Sequence, residues 1–284
     1  MTASSLAEFT RRFCRHGGAV LGAAILFAIA MFAVFGPLLY PESPWRMAQK
    51  PFLPPMMTDG FLFGTDTLGR NIAAGLVHGA RVSLLIGLAS TAAALVVGVT
   101  TGAVAGFFGG RVDDVLMRFT ELFQTIPNFA LAIVLVAILQ PSTDSIVLAI
   151  AIVSWPPIAR LVRSEFLSLR SREFVQASIV QGQSSFQIIF TQILPNALPP
   201  VIVMASLMVA TAVLLESSLS FIRLGDPNTM SWGYMIGAGR TVIRQAWWIS
   251  FFPGVAILLT VLSINLVGEG LNDALNPRLS RRIR

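Results

Sequence analysis

Charge is what this chain has least of. Asp, Glu, Lys and Arg make up 12% of its 284 residues, about half the roughly 25% of a soluble domain. An ordinary water-soluble globule is therefore excluded. One cysteine, Cys14, excludes an internal disulfide. The two histidines, His16 and His78, stand far apart and flank the apolar runs, so no metal-ligand spacing exists. The single lysine, Lys50, follows Met47, Ala48 and Gln49, where a phosphate-cradling loop needs glycines. Any ATP must therefore be bound by a partner.

What the chain has in quantity is apolar surface: 55% hydrophobic residues and a mean hydropathy of +0.74. The charges cluster between long apolar runs, which makes an all-α integral membrane protein the expected class. The net charge of +6 then reports orientation rather than nucleic-acid binding.

Six spans are expected. An amphipathic arm with Arg11, Arg12, Arg15 and His16 precedes the first, Gly17 to Leu39. At 1.5 Å per residue this run covers about 34 Å, enough for a roughly 30 Å hydrocarbon core. Ala28-Ile29-Ala30 mimics a signal-peptide cleavage site, but the run continues through Phe35, beyond a signal core. Residues 40–79 read as a proline-rich external connection. They contain FGTDTLGRN at 63–71, and the whole connection is expected to be a plain loop in preference to a docking surface. The second span, about 82–106, carries Gly98, Gly102 and Gly106 on one face, where another backbone can approach closely. After a turn in which Asp113 or Asp114 could cap the next helix, a third span runs to Leu139 with a kink at Pro127. The fourth, 146–162, is interrupted at Pro156-Pro157. The fifth, 197–221, holds Glu216 near its outer end, where partial solvation and a structural hydrogen bond are expected. The sixth, about 247–267, begins with Trp247-Trp248 at an interface.

Six spans put both termini on one side. Assigned to alternate sides, thirteen of the twenty basic residues fall with the termini and residues 160–195, and seven fall opposite. The positive-inside rule places the termini and that stretch in the cytoplasm. The basic tail contributes Arg278, Arg281, Arg282 and Arg284.

Residues 160–195 are the long polar stretch in an otherwise oily sequence. Within them 172–195 read as helix, turn, helix. Phe174, Ala177, Ile179 and Val180 give one apolar surface, Gly182 breaks the run, Phe186, Ile189, Phe190 and Ile193 give a second stripe, and Pro195 ends it. Such a pair could lie on lipid, fold on itself or plug into a partner.

This segment resembles the signature cytoplasmic loop of ABC importer permeases, whose pattern is EAA, three residues, G, a spacer, then I and LP. Gln176, Ala177, Ser178, Gly182, Ile193, Leu194 and Pro195 occupy those places. Gln176 replaces the usual glutamate, Ser178 replaces the second alanine, and the isoleucine directly precedes LP. GARVSLLIG at 79–87, WPPIARLVRSEFLSLRSREFVQAS at 155–178, ESSLSFIRLGDPNTMSWGYMIGAGR at 216–240 and the stretch 247–279 are similar to the C-type permease of the dipeptide/oligopeptide/nickel subfamily.

The resemblance implies a type I ABC importer permease fold whose loop makes a coupling helix for an ATPase subunit. It implies a second homologous permease, two ABC ATPase subunits that bind the ATP and Mg, and an extracytoplasmic solute-binding protein. It implies no cofactor in this chain, no bond chemistry, and a bacterial inner membrane location with both termini cytoplasmic. Peptides are the expected cargo, with nickel chelates or another small solute as the alternative. On this reading residues 1–79 form an arm, first span and external loop, 80–272 a five-helix core with the EAA-like loop at 172–195, and 273–284 a basic tail. An ion-coupled transporter would need intramembrane ion sites, for which Glu216 is the one candidate. A membrane enzyme would need a nucleophile paired with a base inside the bilayer, and no such pair is present.

Overall fold

Apolar spans cannot leave backbone groups unpaired in lipid, so they fold as helices. The structure, a computed structural model, describes residues 3–275. The tail arginines lie outside the described residues. The helices are α1 (Ala3–Arg15), α2 (Gly17–Leu39), α3 (Ile72–Phe108), α4 (Gly110–Thr125), α5 (Asn128–Leu139), α6 (Thr143–Arg170), α7 (Glu173–Val180), α8 (Ser185–Gln187), α9 (Leu194–Phe221), α10 (Trp232–Gly239) and α11 (Trp248–Leu275). A π-helical turn, Ile188–Ile193, joins α8 to α9. Five helical segments are long and apolar enough to cross a membrane, and α4 with α5 makes a sixth if the bent pair is one span.

Several helices depart from the sequence reading. α3 begins at Ile72, ten residues early, because the Asn71 side chain accepts the Ala73 N–H and caps it. Pro127 does more than kink the third span: α4 and α5 meet at 86°. Neither Asp113 nor Asp114 caps α4; Gly109 occupies that position and Asp113 pairs across to α6. α6 runs unbroken through Pro156 and Pro157 and on to Arg170. Packed neighbouring helices tolerate such prolines in a span. Arg160, Arg163 and Arg170 therefore belong to a helix, not to a loop.

The centre of the bundle is the contact of α3 with α6. A Cβ added at Gly98 would lie 2.6 Å from Ile158 Cβ, one at Gly102 2.8 Å from Val162 Cβ, and one at Gly106 2.6 Å from Phe166 Cβ. The glycine face is where α6 approaches. Ile158, Val162 and Phe166 are fully buried against it.

The opposite end is closed by polar devices. The 63–71 stretch is no bare loop: Thr65, Asp66 and Arg70 are buried. Asp66 Oδ1 accepts the N–H groups of Leu68 and Arg70, and Arg70 Nε donates to Asp66 Oδ2. The Arg70 guanidinium lies 5.2 Å from the Trp45 ring and 5.8 Å from that of Tyr234. Trp248 is buried, donating Nε1–H to Thr65 O at 3.1 Å, while Trp247 stays exposed. Glu216 is not partly solvated; it is 1% exposed. Its carboxylate accepts hydroxyls from Ser231 at 2.7 Å and Ser220 at 2.8 Å. Ser231 caps α10, so the expected structural hydrogen bond fixes that short helix to α9.

Asp226 ties the turn after α9 to the start of α6. Burial opposes its ionisation, but donors from Asn228 N–H, Thr229 and both N–H and hydroxyl of Thr143 outweigh this and hold the carboxyl below its usual range. A depressed folded pKa gives stability that is present above the unfolded carboxylate value and lost as pH falls through the folded one. Asp226→Asn is expected to flatten the acid limb of a stability-versus-pH curve measured on purified protein; an unaltered limb would count against the assignment. For the α3–α6 contact, Gly102→Val should lower stability by about 1–3 kcal/mol through overpacking. Gly254→Ala, where an added Cβ meets nothing within 4 Å, should not lower it. Thermal unfolding in detergent compares the two.

Candidate functional site

The site is built outward from the end of α6. α7 starts after a short turn, with Arg172 at its N-cap. Val175 on its inner face is fully buried, as is Ile193, and Ile188 is 2% exposed. These three join Val162 and Phe166 of α6 in one apolar cluster. The segment is thus anchored to α6 rather than lying free on a surface.

Its outer face has the opposite character. Val180 is 88% exposed and Phe186 70%. Phe174, Ile179 and Phe190 are exposed as well, and the Phe186 and Phe190 rings touch at 4.4 Å between centroids. Between the two halves Gly182 adopts φ +75° with nothing within 4 Å of an added Cβ. Glycine is needed there by its backbone conformation, not by crowding within this chain.

The seven sequence-derived positions divide into two groups. Gln176, Ala177 and Gly182 are exposed around the turn. Ser178 is buried and donates its hydroxyl to Phe174 O at 3.0 Å. Ile193 is in the core, Leu194 is half-buried, and Pro195 is exposed. Gln176 donates Nε2–H to Arg170 O at 3.0 Å. A carboxylate at that position could not make this bond, having no proton to donate.

Pro195 does not end the second stripe. It sits in the first turn of α9, where its missing N–H costs nothing. The π turn at 188–193 and α9 follow α8 without a break, so Ser185–Phe221 is one apolar segment of 37 residues. At 1.5 Å per residue it is about 55 Å long, more than a bilayer core requires. The exposed knob at one end and Glu216 at the other lie on one rod.

Nothing in the sequence pattern points to the bidentate pair between Arg163 and Asp113, at 2.5 and 2.6 Å. Fifty positions separate them, and no local spacing encodes that meeting. The exposed Val180 and Phe186 were visible as apolar residues, but their outward direction was not.

A helical bundle with five or six apolar segments long enough to cross a membrane, one of them a 37-residue segment ending in an exposed apolar knob, is a multi-pass membrane protein by length and composition. Residues 98–281 match the family described as binding-protein-dependent transport system inner membrane component. Residues 4–55 match the N-terminal TM domain of oligopeptide transport permease C. A di/tripeptide transport system permease protein of Pseudomonas aeruginosa is 40% identical over 97% of this chain and 93% of its own length. A dipeptide transport system permease protein of Alkalihalophilus pseudofirmus is 41% identical over 92% of this chain and 86% of its own. In fold, the chain is similar to the MetNI methionine ABC transporter in an inward-facing conformation, with a TM-score of 0.60 over 71% of this chain and 96% of that one, at 18% identity. The chain belongs to the binding-protein-dependent transport system inner membrane component family, and its fold is that of a type I ABC importer permease.

Proposed function

We propose that this chain is one of two permease subunits forming the pathway of an ATP-driven peptide importer. The observation that carries the reading is the match, over nearly the whole chain, to relatives named as dipeptide and di/tripeptide permeases. On this reading a second homologous permease completes the pathway. Two ABC ATPase subunits bind ATP and Mg, and a solute-binding protein delivers the peptide from outside. This chain holds no cofactor and does no bond chemistry. Both termini face the cytoplasm of a bacterial inner membrane, which the distribution of basic residues supports.

The exposed knob formed by α7, Gly182 and α8 is the coupling element that fits the ATPase. Exposed Val180 and Phe186 suit an apolar groove on a protein partner, since aromatic and aliphatic anchors in pockets carry most interface energy. Gln176, Ala177 and Gly182 lie at that contact; Ser178, Ile193, Leu194 and Pro195 shape the segment behind it. Because α8, the π turn and α9 are continuous, movement of the knob is transmitted along α9 to the far side. Closure of the ATPases would thereby switch the pathway between inward-open and outward-open.

Uptake tests this directly. Cells lacking only this chain should lose ATP-dependent uptake of labelled dipeptide, measured beside a longer peptide and nickel, each with and without ATP depletion. Loss of nickel uptake alone would overturn the peptide assignment. Gly182→Arg is expected to abolish uptake while membrane insertion stays intact, because the bulk is added on the exposed turn. Gly182→Ala carries only a backbone cost of about 1–2 kcal/mol and should keep much of the activity. Normal uptake by the arginine variant would remove the coupling role from this turn.

A further inference from the structure

An open groove of about 520 Å³ lies between α4 and α6, lined by Asp114, Met117, Arg118, Glu121, Arg160, Arg163 and Ser164. Its volume falls within the roughly 300–1,000 Å³ of small-molecule sites. Its depth follows from the chain: Arg160 and Ser164 precede the end of α6 at Arg170 by ten and six residues, about 15 and 9 Å of helix. The groove therefore opens on the same side as the coupling knob. The break at Pro127 makes this placement, since it turns α4 away from α5 and leaves its charged face as a wall.

The charges in the groove are unequal. Arg163 is neutralised by its bidentate pair with Asp113. Arg160 is held only by a neutral group, donating Nη1–H to Gln124 Oε1 at 2.5 Å. Among the described residues neither Arg160 nor Arg118 has a carboxylate within 4 Å, and Asp114 and Glu121 have no basic partner within that distance. Asp114, Arg118 and Glu121 recur at four- and three-residue intervals, so one face of α4 presents acid, base, acid. Asp114, Arg118, Glu121 and Arg160 are exposed, and such charges line water or meet an opposite charge rather than face hydrocarbon.

We propose that this groove receives the charged ends of the peptide as it leaves toward the cytoplasm. The carboxylate meets Arg118 and Arg160, and the ammonium group meets Asp114 and Glu121. A zwitterion of short length is the ligand that supplies both signs at once. Guanidinium groups suit a carboxylate because their paired N–H groups match its two oxygens. The inference rests on the peptide reading above, and extends it to where this chain touches its cargo.

The test uses inside-out membrane vesicles carrying the assembled transporter with Cys14→Ser and Ser164→Cys. Reaction of the new thiol with a charged methanethiosulfonate is followed on this chain after the subunits are separated. Alanyl-alanine at twice its dissociation constant should slow labelling about threefold by simple occupancy. Alanyl-alaninamide, which lacks the carboxylate, should not. The double variant Arg118→Gln with Arg160→Gln should lose the protection, and lysine at both positions should restore part of it. The amide comparison needs no arginine variant, so it decides even where the double variant fails to assemble. Equal labelling with and without alanyl-alanine, in vesicles whose transporter still moves it from lumen to bath with ATP, overturns the groove and leaves the peptide reading standing. Absence of ATP-driven alanyl-alanine transport overturns both.

Discussion

The close approach of α3 and α6 is the contact on which the rest depends. With Gly98, Gly102 and Gly106 facing it, α6 packs its Ile158, Val162 and Phe166 against bare backbone. Inside a bilayer, burial of apolar side chains gives no advantage over lipid contact, so shape and closeness must hold helices together. That contact sets the position of α6, and α6 carries the functional segment at its end. Val175, Ile188 and Ile193 extend the same cluster outward into that segment. A displacement there would reopen the central seam.

Two kinds of construction meet at the ends of the bundle. On the side of the turn at Gly182, an apolar base is buried and an apolar crown is exposed. On the opposite side, the charged groups Asp66, Arg70 and Glu216 are buried and paired. Asp66 with Arg70 fixes the long connection, and Glu216 with three serine hydroxyls fixes α10. A buried carboxylate without its donors is costly, so such a cage holds one geometry firmly. α9 joins the two ends, rigid where it holds Glu216 and wider where the π turn leads into it.

Much of this was legible beforehand, and the misses share one cause. The first span was bounded to the residue because apolar length alone decides it. The glycine face of α3 was read correctly, since a four-residue interval fixes which side is bare. The turn at Gly182 was legible because that glycine interrupts two apolar patterns. Proline misleads in the other direction: Pro156, Pro157 and Pro195 read as breaks by local rules, yet all three lie within or at the start of continuous helices. At Pro127 the effect was under-read, as a kink where the axis turns by 86°. Local sequence states which hydrogen bond a proline removes, but neighbouring helices decide whether the axis can continue.

By itself the sequence determined that this is a helical membrane protein, which stretches cross, and where the polar turn lies. Those properties follow from hydropathy and from periods of three to four residues, both carried by near neighbours. Tertiary structure alone decided that Glu216 is sealed from water, that Asp113 meets Arg163, that Val180 and Phe186 point outward while Val175 and Ile193 point in, and that α4 and α6 enclose a charged groove. Each of these depends on residues brought together from distant parts of the chain, and helix packing, not local pattern, sets their distance and direction.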